Sequence, residues 1–470
     1  MATIPQNPDL LKNLWQLLSE QRAIAEQQRV FERLVLLVLA ELFTFGRHTI
    51  TQLLMSLGFN EQDWSAWYRL FSQERFNYEA ASQGLFKASL SDVSADAVYV
   101  VAGDATQTPR SSRKMEGAGW LRNPLTPAFR PGIAVAQRWF NGSWLVPQEN
   151  GYSRAIPIRW LPAFTEKSQP QTVEALKEWQ ASLHFLSWLR QQLTAEGRAE
   201  QAILFVGDGH YDNLKLWPQL PHGVTLLARS AKNRVLHHLP DATMHGNRKY
   251  GARAATPQQV WQTHKRWQDI ALEVRGRTRH LQVCVRGVFV RKGAPDTPLF
   301  LIVVRGKKRK NKYGHVYRRQ PLPFLVNAIR DDSGDWALPL PLEMLLFWAW
   351  QRWEIEVCHR ELKTLFGLGH KQSFNPQAAV LSVQWSAWVY SLLLLAGYRT
   401  LGLARAPAVP TRWWRGAGRW SFSTLLRAFR ASLWGDHHFR PVLTPTPHDW
   451  GEKQDFLTAL LNSIYAAAPS

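Results

Sequence analysis

Two short runs constrain the architecture more than any other part of the chain. Val98–Asp104 reads VYVVAGD and Ile203–Asp208 reads ILFVGD. Neither alternates apolar with polar, so neither has a wet face. A continuous apolar run of this length suits a strand buried on both faces, as in a sheet covered by helices. Each closes on Gly-Asp, which places an aspartate at or just past the strand's end, where open α/β sheets gather functional groups. One such Asp is ordinary turn chemistry; two with the same ending form a constellation.

A third acid lies downstream. Residues 349–363, AWQRWEIEVCHRELK, contain no Pro or Gly and predict one helix. Arg352, Glu356, His359, Arg360 and Lys363 share a stripe, beside an apolar stripe of Ile355, Cys358, Leu362 and Phe366. Such a helix packs one flank on a core and holds a carboxylate among cations, which suits a metal ligand near phosphate. Taken alone, the Arg352–Glu356–Arg360 series equally describes a solvated salt-bridge ladder. Glu354 and Glu361 project to the far side and are poor ligand candidates.

Charge points to the partner. The 470 residues carry a net charge of +21, and the span 229–319 holds 22 Lys+Arg against 4 Asp+Glu. Nearly all the excess lies in one fifth of the chain, an electrostatic footprint for a phosphate backbone. An anionic membrane is the rival reading, but this span lacks a long amphipathic helix. Val380–Gly397 is the best membrane candidate; its Gln384 and serines favour a buried core helix. Cys284 and Cys358 are the only cysteines, which excludes a disulfide framework or a four-ligand zinc set. The polar start MATIPQNPDL is no signal peptide, so the expected location is the cytoplasm, with the nucleoid.

Five regions follow along the chain. Residues 1–95 predict helices, with a helix-turn-helix outline over His48–Phe71, a turn near Gly58 and a cap at Asn60. This stretch is a poor main DNA reader, since 1–90 has 8 Lys+Arg against 9 Asp+Glu. Residues 96–230 alternate strands and helices. Asn141-Gly142 predicts a hairpin between Ile133–Phe140 and Ser143–Gln148. A helix is expected over Thr172–Leu193, then a short helical stretch near Asn213–Leu220 and a strand over Gly223–Ser230. Residues 231–325 form a basic β-rich insertion, with strands over Asp269–Arg277, His280–Lys292 and Pro298–Arg305. RGKKRKNKYGHVYRR, holding Lys307, Lys308, Arg309 and Lys310, predicts a DNA-contacting loop. Pro323–Ile329 predicts a strand returning to the core, and 326–375 carries the Glu356 helix. Residues 376–470 are helical, with TRWWRGAGRW at Thr411–Trp420 open to DNA contact or to capping the domain.

The order β-β-β-α-β-α-β resembles an RNase H-like fold. The fold class expected is therefore α/β: an RNase H-like catalytic core interrupted by a β-rich insertion, with helical N- and C-terminal regions. Gly-Asp-Ala-Thr at 103–106, Gly-Asp-Gly-His-Tyr at 207–211 and Arg352-x3-Glu356-x6-Lys363 together resemble DDE transposases of bacterial insertion sequences. The likeness is to the cut-and-paste group with a β-rich insertion and a Tyr-x2-Arg-x3-Glu-x6-Lys signature. It covers about residues 45–375. Ala349 stands where the signature has Tyr, between Trp348 and Trp350.

The resemblance implies Asp104, Asp208 and Glu356 as catalytic metal ligands. Asp104 would bridge two Mg²⁺ ions, Asp208 hold one and Glu356 the other, with Mn²⁺ able to substitute. Two metals about 4 Å apart activate a water or 3′-hydroxyl and stabilise the leaving oxygen, and Mg²⁺ needs few protein oxygens. Arg352, Arg360 and Lys363 would meet phosphates near the scissile bond, and His210 and His359 are weaker DNA candidates. Trp261 or Trp267 is a candidate to stack on an unpaired base. The implied reaction is nicking at terminal inverted repeats, hairpin formation and strand transfer into target DNA, by a homodimer on paired double-stranded ends. Two other classes stay open: another RNase H-like nuclease, such as a resolvase or repair enzyme, and a non-catalytic DNA-binding relative.

Overall fold

The structure, a computed structural model, describes residues 8–123, 126–127, 129–240, 249–407 and 419–435. Five helices come first: α1 (Pro8–Glu20), α2 (Gln28–Phe43), α3 (Ile50–Ser56), α4 (Ser65–Ser72) and α5 (Tyr78–Leu90). Then come β1 (Tyr99–Pro109), β2 (Gly119–Arg122), β3 (Ile133–Leu145), β4 (Ala155–Pro162), α6 (Glu178–Ala195), β5 (Ile203–Gly207) and β6 (Val224–Arg229). The basic region supplies β7 (His237–His238), α7 (Pro257–Thr263), β8 (Gln268–Glu273), β9 (Thr278–Arg291), β10 (Ala294–Val304), β11 (Lys308–Lys310) and β12 (Val316–Arg318). β13 (Leu322–Asn327), β14 (Ile329–Arg330) and β15 (Trp336–Ala337) lead to α8 (Leu342–Gln351), α9 (Trp353–Thr364), α10 (Pro376–Leu401) and α11 (Phe422–Gly435).

One mixed sheet organises the chain, in the order β2-β3-β1-β5-β6-β13-β10-β9-β7, with β4 on β3 and β8 on β9. β1, β5 and β6 are parallel. They are the two Gly-Asp runs and the Gly223–Ser230 strand, and their residues are buried as continuous apolar runs require. Apart from the small β11–β12 pair, the strands of the basic region do not form a sheet of their own. β13 pairs with β6, and β10 and β9 follow, so the expected boundaries at 230 and 325 fall within one hydrogen-bonded surface.

The Asn141-Gly142 hairpin does not exist. β3 runs straight through both residues. A side chain at position 142 would meet the Phe185 ring of α6 at 2.6 Å, so Gly lets the helix press on the strand. The neighbouring Asn141 side chain reaches Cys358 and His359 of α9. Successive residues face opposite sides of a sheet, so α6 and α9 cover opposite faces here. Close packing has overridden the strongest local turn signal.

Four other expectations need correction. The helix expected from Thr172 starts at Glu178. The helix expected to be continuous over 349–363 is two helices meeting at Arg352, which ends α8 and precedes α9. The charged stretch expected as a loop is a two-stranded ribbon, β11 with β12. The cap of α4 is Trp64, not Asn60, although Gly58 makes the expected turn at φ +77°. Residues 411–418 of the Trp-Arg segment lie outside the described residues.

α10 is the hub of the helical layer, buried against α1, α4, α5 and β4, as its apolar composition requires. A buried ion cluster locks it to the N-terminal helices. Glu41 of α2 takes Lys371 Nζ at 2.7 Å, His48 Nδ1 at 2.6 Å and Trp385 Nε1 at 3.0 Å. Burial alone raises a carboxyl's pKa, but Lys371 and His48 outweigh it and bring Glu41 down to about 2. The folded-state value is depressed, so this stabilisation is full above the ordinary carboxylate range and is lost as pH falls towards 2. Glu41→Gln leaves Lys371 buried without its anion and is expected to cost about 3–5 kcal/mol. A urea-unfolding midpoint at pH 7 equal to that of the unaltered protein would refute this.

Candidate active site

The first two acids emerge side by side because their strands are parallel neighbours. The β1–β5 register ends at Ala102 opposite Val206, so Asp104 lies just beyond the pair, next to Asp208 leaving β5. Both glycines before them are required. A side chain at 103 would lie 2.4 Å from the Phe205 ring, and one at 207 would lie 2.7 Å from Tyr211. Aromatics therefore pack beneath the glycines, and strand alternation turns Asp104 to the other face, which α9 covers. Asp104 is not at the end of its strand, as expected, but inside β1 and opposite Asn141 on β3. Asp208 Oδ1 accepts the His210 backbone N–H at 2.8 Å, an Asx turn that fixes the carboxylate.

Glu356 arrives from α9. Arg352, which keeps helical backbone angles between α8 and α9, bonds Glu356 one turn on and stands 3.9 Å from Asp104 Oδ2. His359 Nδ1 is also 3.9 Å from Asp104 Oδ2. Lys363, half-buried on the same stripe, feels the Asp104 charge, while burial lowers its own pKa. Asp104 is 19% exposed, and its pKa is raised to about 7. Burial is the main cause; Arg352 opposes it, and Asp208, Glu178 and Glu356 add to it. Four carboxylates thus bear on one place. His359 is buried and held neutral, its pKa lowered to about 3 by burial first and then by Lys363 and Arg352.

Arg352, Lys363 and His359 join the acids, whereas Arg360 is exposed on α9. Lys307, Lys308, Arg309 and Lys310 are exposed at the ribbon, which also displays Tyr313, Val316 and Tyr317. Glu354 is buried against Arg275 at 2.9 Å, and Glu361 is held by Arg154 and by Tyr390 at 2.7 Å, so both act as internal ion pairs. Trp267 is covered by Arg305, 5.3 Å from its ring centre. Trp350 and Trp353 instead line a cavity of about 410 Å³ together with Arg229, Arg275, Arg279 and Arg352. Ala349 lines the same cavity.

Sequence reasoning missed Glu178 and Asn141. Glu178 opens α6, is only 5% exposed, binds Arg138 and lies 3.4 Å from His210 Nε2. A lone Glu near an amphipathic helix carries no signal of this. Behind the acids, the Tyr211 hydroxyl is buried without a hydrogen-bond partner of good geometry, and it feels Glu178, Asp104 and Asp208.

The mixed sheet with parallel central strands and covering helices is an RNase H-like fold, and the adjacent Asp104 and Asp208 with Glu356 on a later helix form its candidate carboxylate site. The chain belongs to the DDE superfamily endonucleases, whose family pattern matches residues 21–284. It is therefore a DNA-cleaving enzyme of a divalent-metal-dependent superfamily, with DNA as its partner. The match includes Asp104 and Asp208, and Glu356 lies beyond it. A search of curated proteins finds no match. Among solved structures, the chain is similar to the cryo-EM structure of the piggyBac transposase synaptic complex with hairpin DNA. The identity is 10% and the TM-score 0.40, covering 100% of this chain and 86% of that one.

The donor set fits a hard divalent ion: the carboxylate oxygens of Asp104, Asp208 and Glu356, with the Asp104 carboxyl pushed up by burial first and then by its acidic neighbours. The acids do not close on one point, however. Among the described residues no three His, Cys, Asp or Glu are grouped tightly enough to share one ion, and Arg352 lies between Asp104 and Glu356. Its positive charge offsets the carboxylates in the protein alone. A proton on Asp104 competes with a cation, so affinity for Mn²⁺ is expected to rise about tenfold per pH unit below about 7 and then level off. Calorimetric titration at several pH values measures this; a flat profile below 7 would contradict the site.

Proposed function

We propose that the protein is a cut-and-paste DNA transposase whose Asp104, Asp208 and Glu356 hold two Mg²⁺ ions. The observation that carries this reading is the meeting of Asp104, Asp208 and Glu356 around Arg352, which also lines an arginine-rich cavity. Asp104, Asp208 and Glu356 would hold the ions, which when bound would supply activation of the attacking water or 3′-hydroxyl and stabilisation of the leaving oxygen. The chain's own residues do the rest. Arg352 would exchange its Glu356 carboxylate for a phosphate as DNA enters, and Lys363 would supply a second cation on the same stripe. The β11–β12 ribbon and its neighbouring strands grip the end DNA, since a two-stranded ribbon fits the major groove. The arginine- and tryptophan-lined cavity offers an unpaired nucleotide a stacking surface and cations. The protein acts in the cytoplasm as a homodimer on paired ends.

The test supplies the purified full chain with labelled duplexes carrying the native flanks of its gene. A Mg²⁺-dependent nick exposing a 3′-hydroxyl, followed by a hairpin, supports the proposal. Cleavage of branched DNA with no preference for those flanks would indicate a resolvase or repair nuclease. Binding without cleavage in any metal would indicate a DNA-binding relative.

A further inference from the structure

Asn141 and His359 are buried polar groups that the proposed chemistry does not use. Asn141 is fully buried and His359 is 7% exposed. They form a chain that leads to Asp104. Ser143 Oγ donates to Asn141 Oδ1 at 3.0 Å, and the Asn141 amide nitrogen stands 3.1 Å from His359 Nε2. The opposite ring nitrogen, Nδ1, faces Asp104 Oδ2 at 3.9 Å.

Donor and acceptor rules set the proton positions along this chain. Ser143 occupies the amide oxygen of Asn141, so the amide N–H₂ faces the imidazole. An N–H donor needs a bare ring nitrogen, so Nε2 accepts and the ring's single proton sits on Nδ1. That N–H points at Asp104 and stands about 1 Å beyond ordinary hydrogen-bond length. The other Asp104 oxygen, Oδ1, already accepts the Ala105 N–H at 2.9 Å. The frame is stiff. The Trp160 ring lies edge-on to His359, 5.8 Å between centres, and Phe185 fills the space behind Gly142. Asn141 is also the residue directly opposite Asp104 in the β1–β3 register.

We propose that Asn141 and His359 are positioning residues that hold the Asp104 carboxylate in the orientation its cation requires. Asn141 sets the imidazole tautomer, and His359 presents Nδ1–H to Oδ2 when the carboxylate closes on its ligand. This rests on the reading of Asp104 as a metal ligand. It also accounts for an Asn-Gly pair in mid-strand, where no turn uses it.

The experiment measures Mn²⁺ binding to the full chain by calorimetry, with DNA affinity in EDTA and thermal unfolding as controls. An Asn side chain places its amide N–H near the position of Nδ1, whereas Gln places its amide near Nε2. His359→Gln is therefore expected to weaken Mn²⁺ binding about 10–100-fold, the usual cost of losing an outer-shell partner. His359→Asn should keep most of the affinity. Asn141→Leu, close in shape, should follow His359→Gln because it frees the tautomer. DNA affinity in EDTA should stay unchanged for all three. Equal Mn²⁺ affinity in His359→Gln and His359→Asn, or no effect of Asn141→Leu, would overturn the proposal and leave the pair as packing. Asp208→Asn separates the two readings: if it too binds Mn²⁺ normally, the metal-site reading itself has failed.

Discussion

Asp104→Asn and Asp208→Asn are each expected to lower strand cleavage by at least about a thousandfold while DNA binding in EDTA is retained. A metal-held transition state is stabilised by several kcal/mol, and each 1.36 kcal/mol is tenfold in rate. The Asp104 variant carries a second signature. Burial first, and then three neighbouring carboxylates, raise the pKa of Asp104 to about 7, so its ionised form opposes folding as pH rises from the ordinary carboxylate range through 7. Asn removes that penalty, so the metal-free variant should unfold no earlier than the unaltered protein at pH 7.5. Lost cleavage with retained thermal stability marks Asp104 as functional. Unaltered cleavage in either variant would remove that residue from the mechanism.

The second large effect concerns the ribbon. Replacing Lys307, Lys308, Arg309 and Lys310 together with Gln removes four exposed cations and no buried contact. Each lost phosphate contact lowers the slope of log affinity against log salt by about 0.9, so the slope should fall by up to about 4. At 0.15 M salt that corresponds to a loss on the order of a thousandfold when all four engage phosphates. Titrations at several salt concentrations read both quantities. An unchanged slope would place the DNA elsewhere on the molecule.

Several parts of this molecule are legible in the residues alone, for reasons that differ from part to part. β1, β5 and β6 could be read because strands buried on both faces leave continuous apolar runs. β8, β9, β10 and β13 were legible to within a few residues because alternation or short apolar blocks mark them. Asn141-Gly142 misled because turn propensity is local, whereas Phe185 and His359 act on those residues from distant helices. The β11–β12 ribbon was hidden because backbone pairing holds it without a buried side-chain pattern. The break at Arg352 carries no Gly or Pro, so nothing in the residues announces it. Glu178 was invisible because its importance comes from burial beside Arg138 and His210, which sequence spacing does not encode.

The most direct measurement of the central claim is an excision assay in cells. A donor plasmid carries a marker between the native flanks of the gene, with the protein supplied separately, unaltered or as Asp208→Asn. The account predicts clean loss of the marker with the unaltered protein only. No loss with either, at matched expression, would contradict a transposase. Equal loss with both would contradict the assignment of Asp208.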